Sequence, residues 1–191
     1  PEQTPKPGQI RNVNQYSLRA MIAEAGGETI DLGVVKDDRA AFEKAMAQAL
    51  KTADIVVISG GSSVGVKDMT VDIVCSFPKS AMFFHGISIA PGKPTIFARA
   101  AGKPVMGLPG HPVSALVVFS LFGAPLLRMI GGEPSATAFA PLRTTRARLT
   151  QNVASAPGRE DYVRVTLETQ NGTLLARPLP GKSGAVFSLV Q

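Results

Sequence analysis

The sequence predicts an α/β protein: a three-layer, doubly wound, mostly parallel sheet followed by a small C-terminal β-barrel or sandwich domain. Three observations carry this expectation. Residues 8–136 alternate helix-period segments with strand-like ones, as helices packed on both faces of a sheet require. Inside that region "DIVVIS", residues 54–59, is short and almost wholly apolar, the texture of a strand buried on both faces. After "GGEPSATAFAP" the helix period stops and short alternating segments separated by turn residues take over. The expected division is therefore 1–136 for the α/β domain and 137–191 for the β domain.

In chain order, Asn14 is placed to cap a helix through "QYSLRAMIAEA", which Gly26 and Gly27 end. "ETIDLGVV" reads as a strand. Asp37 and Asp38 can cap "RAAFEKAMAQALKTA", where Phe42, Met46, Ala49 and Leu50 share a face. "DIVVIS" is the next strand, and after a glycine loop Asp68 can cap "MTVDIVCSF". "AMFFHGISI" and "PTIFARA" are strand candidates, the second turning at "AGKP" into "VMGL". A long, mostly buried helix then starts with Pro112 in its first turn. In the tail, "RTTRARLT", "DYVRVTLET", "TLLARPL" and "AVFSLV" are short strands. Alternation puts Tyr162, Arg164 and Thr166 on one face and Val163, Val165 and Leu167 on the other.

Composition narrows the function classes. The 191 residues suffice for one substantial core, or a main domain with a small one. A single cysteine, Cys75, excludes an internal disulfide framework, points to a reducing cytoplasm and reads as a packing residue. No apolar run is read as membrane-spanning, and "PEQTPKPGQIRN" has no signal-peptide core. The net charge is +6, and 7 of the 20 basic residues fall in the last 55 against 3 of the 14 acids. Tryptophan is absent and basic residues do not interleave with aromatics, so pockets for small anions fit better than a nucleic-acid surface.

The stretch "SGGSSVGVKD" gives up side chains where a strand ends. Ligands collect beyond the carboxyl ends of strands in an open parallel sheet. Gly60, Gly61, Ser62, Ser63 and Gly65 would leave backbone N–H groups and two hydroxyls free to cradle a phosphate; the same stretch also reads as a plain strand-to-helix turn. "APGKPT" sets Lys93 among rigid prolines, and "GLPGHPVSA" sets Gly110 between Pro109 and Pro112. Each is a stiff loop that lets backbone approach a ligand. Asp37 and Asp68 follow strand-like segments, so they read either as helix caps or as paired cleft carboxylates suited to Mg²⁺ beside a phosphate. His85 and His111 stand apart and make no zinc site; His85 reads as a core or cleft histidine.

"SGGSSVGVKD", "APGKPT" and "GLPGHPVSA", in this order, resemble the molybdopterin molybdenumtransferase family, which includes the E domain of gephyrin. "PGQIRNVNQYSLRAMI" and "GVVKDD" are similar to its molybdopterin-binding α/β domain, and the tail from "GREDYVRV" to its β-barrel domain. The resemblance implies molybdenum cofactor biosynthesis: Mg²⁺-dependent insertion of molybdate into adenylylated molybdopterin with release of AMP, by a homodimer. It implies Asp37 and Asp68 as catalytic and metal-binding acids. Gly60, Gly61, Ser62, Ser63, Gly65, Lys93, Pro109, Gly110 and Pro112 are the implied ligand-binding positions, with Arg164 and Ser183 facing the cleft of the dimer.

This chain departs from the family pattern at His111, where the family has Asn, and at Ala90, where a basic residue is common. The family's α/β domain begins with a strand ending in a "TGDE"-type turn, and no such turn occurs here. The chain is accordingly expected to be a C-terminal fragment, with its first strand missing and its β domain incomplete. Competing expectations are a molybdopterin adenylyltransferase, which shares the α/β domain, and a non-catalytic gephyrin-like scaffold.

Overall fold

The computed structural model describes residues 11–60, 66–140 and 144–179, with residues 66–68 by backbone alone. Its central sheet has the order β1-β5-β4-β2, where β1 is Val56–Ser59, β2 Ala81–His85, β4 Ile96–Ala100 and β5 Lys103–Leu108. Strand β1 is parallel to β5, while β5–β4 and β4–β2 are antiparallel. The sheet is thus mixed: β1, β5 and β2 share a direction, but only one adjacent pair is parallel. The reason is local. Ala101 and Gly102 take φ of 50° and 81° between β4 and β5, which closes a two-residue hairpin where a parallel connection would need a long crossover.

Helices cover both faces. On one, α2 (Arg39–Thr52) and α3 (Val66–Ser76) pack Met46, Leu50, Ile73 and Val74 on Val56, Ile96, Ala98 and Val105. On the other, α1 (Val13–Glu24), α4 (Pro112–Val118) and α5 (Ala124–Ile130) pack Leu18, Ala115, Val118 and Leu126 on Met106 and Leu108. Neighbouring residues of β5 feed opposite cores, Val105 one and Met106 the other, so a continuously apolar strand is the stable solution. A π-helical turn, Phe119–Gly123, joins α4 to α5, with the Ala124 N–H on the Phe119 carbonyl. Pro125, which has no N–H to give, follows at once. The run Pro112–Ile130 is long and apolar enough to cross a membrane by length and composition, contrary to expectation; its buried face makes it a core helix here.

Several sequence expectations shift. The cap of α1 is Asn12, whose side chain accepts from Gln15 N and donates to Gln15 Oε1; Asn14 lies inside the helix. "ETIDLGVV" pairs with no strand among the described residues, and Ile30 and Val34 are exposed, because alternation becomes a strand only where a ladder partner is present. Asp38 caps α2 by accepting from Ala41 N at 2.8 Å. Helix α3 begins at Val66, which puts Asp68 in its first turn instead of at the cap. Cys75 is exposed, not packed.

The tail forms a second sheet, β6-β9-β8, from β6 Arg148–Leu149, β8 Val165–Gln170 and β9 Thr173–Pro178. Asn171-Gly172, with φ of 50° and 76°, turns β8 into β9. The described residues do not close a barrel, and "AVFSLV" lies outside them. Val163 and Leu167 are exposed, so their face is not a buried one, as no second layer covers it within the described tail. A link absent from the sequence reading is β3 (Ile89–Ala90) paired in parallel with β7 (Glu160–Asp161), which ties the tail to the α/β region.

Candidate ligand-binding rim

Strand direction decides where the loops go. Because β1, β5 and β2 run together, their carboxyl ends share one edge; β4 runs against them, so its start lies there too. The register agrees: Ser59 is opposite Leu108, Gly107 opposite Ile96, and Ile96 opposite His85. The start of the glycine loop, the Lys93 loop and the Pro109–Gly110 loop therefore meet at one rim. A Cβ on Gly110 would stand 3.6 Å from Gly60 Cα, so the first and third loops touch through backbone.

The Lys93 loop is held from several sides. Thr95 Oγ1 donates to Gly92 O at 2.6 Å, Gly86 N to Thr95 O at 2.7 Å and Ile87 N to Lys93 O at 3.0 Å. Gly92 has φ of 128°, and a Cβ there would fall 2.7 Å from both Ile89 Cδ1 and Val118 Cγ2. Only glycine lets this turn sit directly on α4. The result is a fixed backbone presenting one exposed ammonium, Lys93. Pro109 is fully buried and Gly110 exposed, while Pro112 opens α4 behind an exposed His111 that makes no side-chain cap bond.

Asp37 is exposed just before α2. Lys103, at the start of β5, donates Nζ to Ala53 O at 2.8 Å and so anchors the far end of α2 at the edge opposite the rim. Fourteen residues of helix, about 21 Å at 1.5 Å each, bring Asp37 back towards the rim edge. Asp68 enters from the first turn of α3 by backbone position only. Gly61, Ser62, Ser63, Gly65 and Ser183 lie outside the described residues. Arg164 is half-buried, and its carbonyl accepts from Leu179 N at 3.0 Å. His85 is exposed at the rim end of β2, a cleft-edge residue and not a core one.

One functional candidate escaped the sequence reading. Asn14 is 7% exposed, and its Nδ2 donates to Ser59 Oγ at 2.7 Å and to Gly110 O at 3.0 Å. It bridges the exits of β1 and β5 from 45 and 96 residues away. Its Oδ1 is buried without a partner among the described residues, a state that costs about 1–3 kcal/mol. The available signal was its place four residues before Leu18, on the buried stripe of α1.

The β3–β7 seam borders an open surface depression of about 440 Å³ lined by Ile89, Phe122, Arg159, Glu160 and Tyr162 among others. Its charges satisfy one another: Arg159 Nε is 3.1 Å from Asp161 and the Tyr162 hydroxyl donates to Glu160 at 2.9 Å. Hydrogen bonding from Ser155, aided by Arg159, holds the Asp161 carboxyl below its ordinary pKa, while burial and then Glu160 push the Tyr162 hydroxyl up. Tyr162 N also donates to Ala90 O at 2.8 Å, so the tail braces the entry to the Lys93 loop.

Residues 3–129 match the family model described as "Probable molybdopterin binding domain". The chain belongs to the molybdopterin-binding domain family. Residues 146–191 match the MoeA C-terminal region (domain IV). Among curated relatives, a molybdopterin molybdenumtransferase of Nostoc sp. is 33% identical over 195 residues, covering 100% of this chain and 44% of that protein. One of Haemophilus influenzae is 36% identical, covering 82% of this chain and 38% of that protein. The solved structure of a molybdopterin biosynthesis MoeA protein from Pyrococcus horikosii aligns over 100% of this chain and 44% of its own, at 37% identity and a TM-score of 0.79. The chain thus spans less than half the length of these relatives.

Proposed function

We propose that the protein to which this chain belongs inserts molybdate into adenylylated molybdopterin and releases AMP. The observation that carries this reading is the meeting of the Gly60, Lys93 and Pro109–Gly110 loops at one edge of a molybdopterin-binding domain, joined to a MoeA-type tail. The Nostoc relative named as a molybdenumtransferase aligns with the whole of this chain within a longer one.

In this reading the glycine loop, Gly60 through Gly65 with Ser62 and Ser63, cradles the phosphate end of the ligand with backbone N–H groups and hydroxyls. Lys93 supplies positive charge from a backbone that does not have to reorganise on binding. Pro109, Gly110 and Pro112 form a stiff wall that admits the ligand close to backbone. Arg164 and Ser183 face the cleft across a homodimer. The working division remains 1–136 for the α/β domain and 137–191 for an incomplete β-barrel-like domain, and the location is cytoplasmic.

Among the described residues no three His, Cys, Asp or Glu side chains gather. Mg²⁺ takes one or two carboxylates and fills its remaining positions with waters and substrate phosphates. Asp37, exposed towards the rim edge, and Asp68, in the first turn of α3, would hold it. The ion would neutralise phosphate charge as the anhydride breaks. The two carboxylates would fix its position beside the anhydride.

The test uses the full-length protein with adenylylated molybdopterin and Mg²⁺. AMP should appear when molybdate is added, with metal retained on the dithiolene. Formation of the adenylate from ATP without its consumption would refute the reading in favour of an adenylyltransferase, and binding without turnover would refute it in favour of a scaffold.

A further inference from the structure

In the last described rung between β1 and β5, Gly60 N donates to Leu108 O at 3.2 Å. Asn14 stands at that point. Its two N–H groups are both engaged, on Ser59 Oγ and Gly110 O, and the carbonyl acceptor on Gly110 settles which way round the amide lies. We propose that Asn14 is a positioning residue that sets the separation of the glycine-loop and Pro-Gly-loop exits, and thereby the width of the cleft into which the ligand fits.

The energetic pattern supports function over stability. Ser59 and Gly110 are exposed, so water would satisfy both acceptors if the amide were absent. Asn14 itself is buried, and its Oδ1 has no partner among the described residues. A buried polar group with an orphaned acceptor is a net liability, and leucine, of similar shape, would remove it. What the amide adds is geometry: two directional bonds, from one rigid helical position, to the exits of both loops. Misplacement of such loops on the ångström scale is enough to weaken productive binding.

The inference rests on the proposed function, and the test separates the two. In the full-length protein, Asn14→Leu, Ser59→Ala and wild type are compared for thermal midpoint and for KM and kcat of AMP release from adenylylated molybdopterin. Expected is a midpoint for Asn14→Leu equal to or above wild type, with KM raised about tenfold, equivalent to about 1.4 kcal/mol. Ser59→Ala, which removes one exposed acceptor and cannot by itself unfold the protein, should raise KM about threefold at unchanged stability. A merely structural asparagine would instead lower the midpoint and reduce kcat with the folded fraction, leaving KM unmoved. KM within twofold of wild type for both variants overturns the proposal. If Asn14→Leu does not fold, an unchanged KM in Ser59→Ala alone overturns it. Absence of AMP release from wild type overturns the function, not the positioning role; the same variants are then compared for adenylylated-molybdopterin binding by calorimetry, read against the same fold-changes.

Discussion

Gly92→Ala offers a quantitative check on how the Lys93 loop is held. The substitution has two costs. A side chain at φ of 128° occupies backbone space that L-residues rarely adopt, about 1–3 kcal/mol. The added Cβ also lands 2.7 Å from Ile89 Cδ1 and Val118 Cγ2. The isoleucine tip can rotate aside, but Val118 is β-branched within a helix and has one strongly preferred rotamer, so about 1–3 kcal/mol of overpacking follows. Gly60→Ala is the internal control. Its φ of 92° carries a backbone cost of the same order, yet its Cβ would meet nothing within 4 Å among the described residues. The excess for Gly92→Ala over Gly60→Ala is therefore about 1–3 kcal/mol, or about 2–12 °C in thermal midpoint for a domain of this size. Calorimetry and urea titration of the full-length variants measure it. Adding Val118→Ala to Gly92→Ala should recover part of the loss, since it removes the stiffer of the two clashing groups. A Gly92→Ala variant no less stable than Gly60→Ala would refute the argument that the loop rests on α4.

Other consequences can be checked in the same protein. Lys93→Ala removes an exposed ammonium from a backbone-bonded loop, so the thermal midpoint should stay constant while affinity for the anionic ligand falls about tenfold and loses part of its salt dependence; unchanged affinity would remove Lys93 from the site. Arg128→Ala should cost about 1–3 kcal/mol, because the guanidinium lies 3.2 Å from Glu133 and donates to Ala138 O, fastening the linker after α5. Glu133→Gln, losing only a partly exposed charge, should cost less than about 1 kcal/mol. By NMR, the Asp161 carboxyl should titrate below its ordinary value of 3.8, and Ser155→Ala should move it upward. Since the folded pKa is the lowered one, this carboxylate favours the folded state above the ordinary value and ceases to as pH falls through the folded pKa. An unmoved titration would show that the Ser155 hydroxyl does not hold it.

Much of the architecture is decided by local chemistry and so is legible in the sequence. The period of Phe42, Met46, Ala49 and Leu50 makes α2 and selects its buried face. The apolar run of β1 requires cover on both sides. Asn171-Gly172 makes a hairpin because both positions take positive φ. Proline and glycine likewise announce the stiff loops around Lys93 and Gly110. Tertiary structure alone decides pairing and depth. "ETIDLGVV" alternates as well as any strand, yet alternation supplies no partner. Cys75 lies in an apolar stretch, but the turn of α3 carries it outward. The meeting of three loops at one rim needs β1 to lie beside β5 as well as the local β4–β5 hairpin, and that pairing joins segments far apart in the chain, which no local pattern encodes. Asn14 and Asn12 are indistinguishable as cap candidates by type. One caps α1 and the other joins β1 to β5 because hydrogen-bond partners 45 and 96 residues distant exist only once the chain has folded.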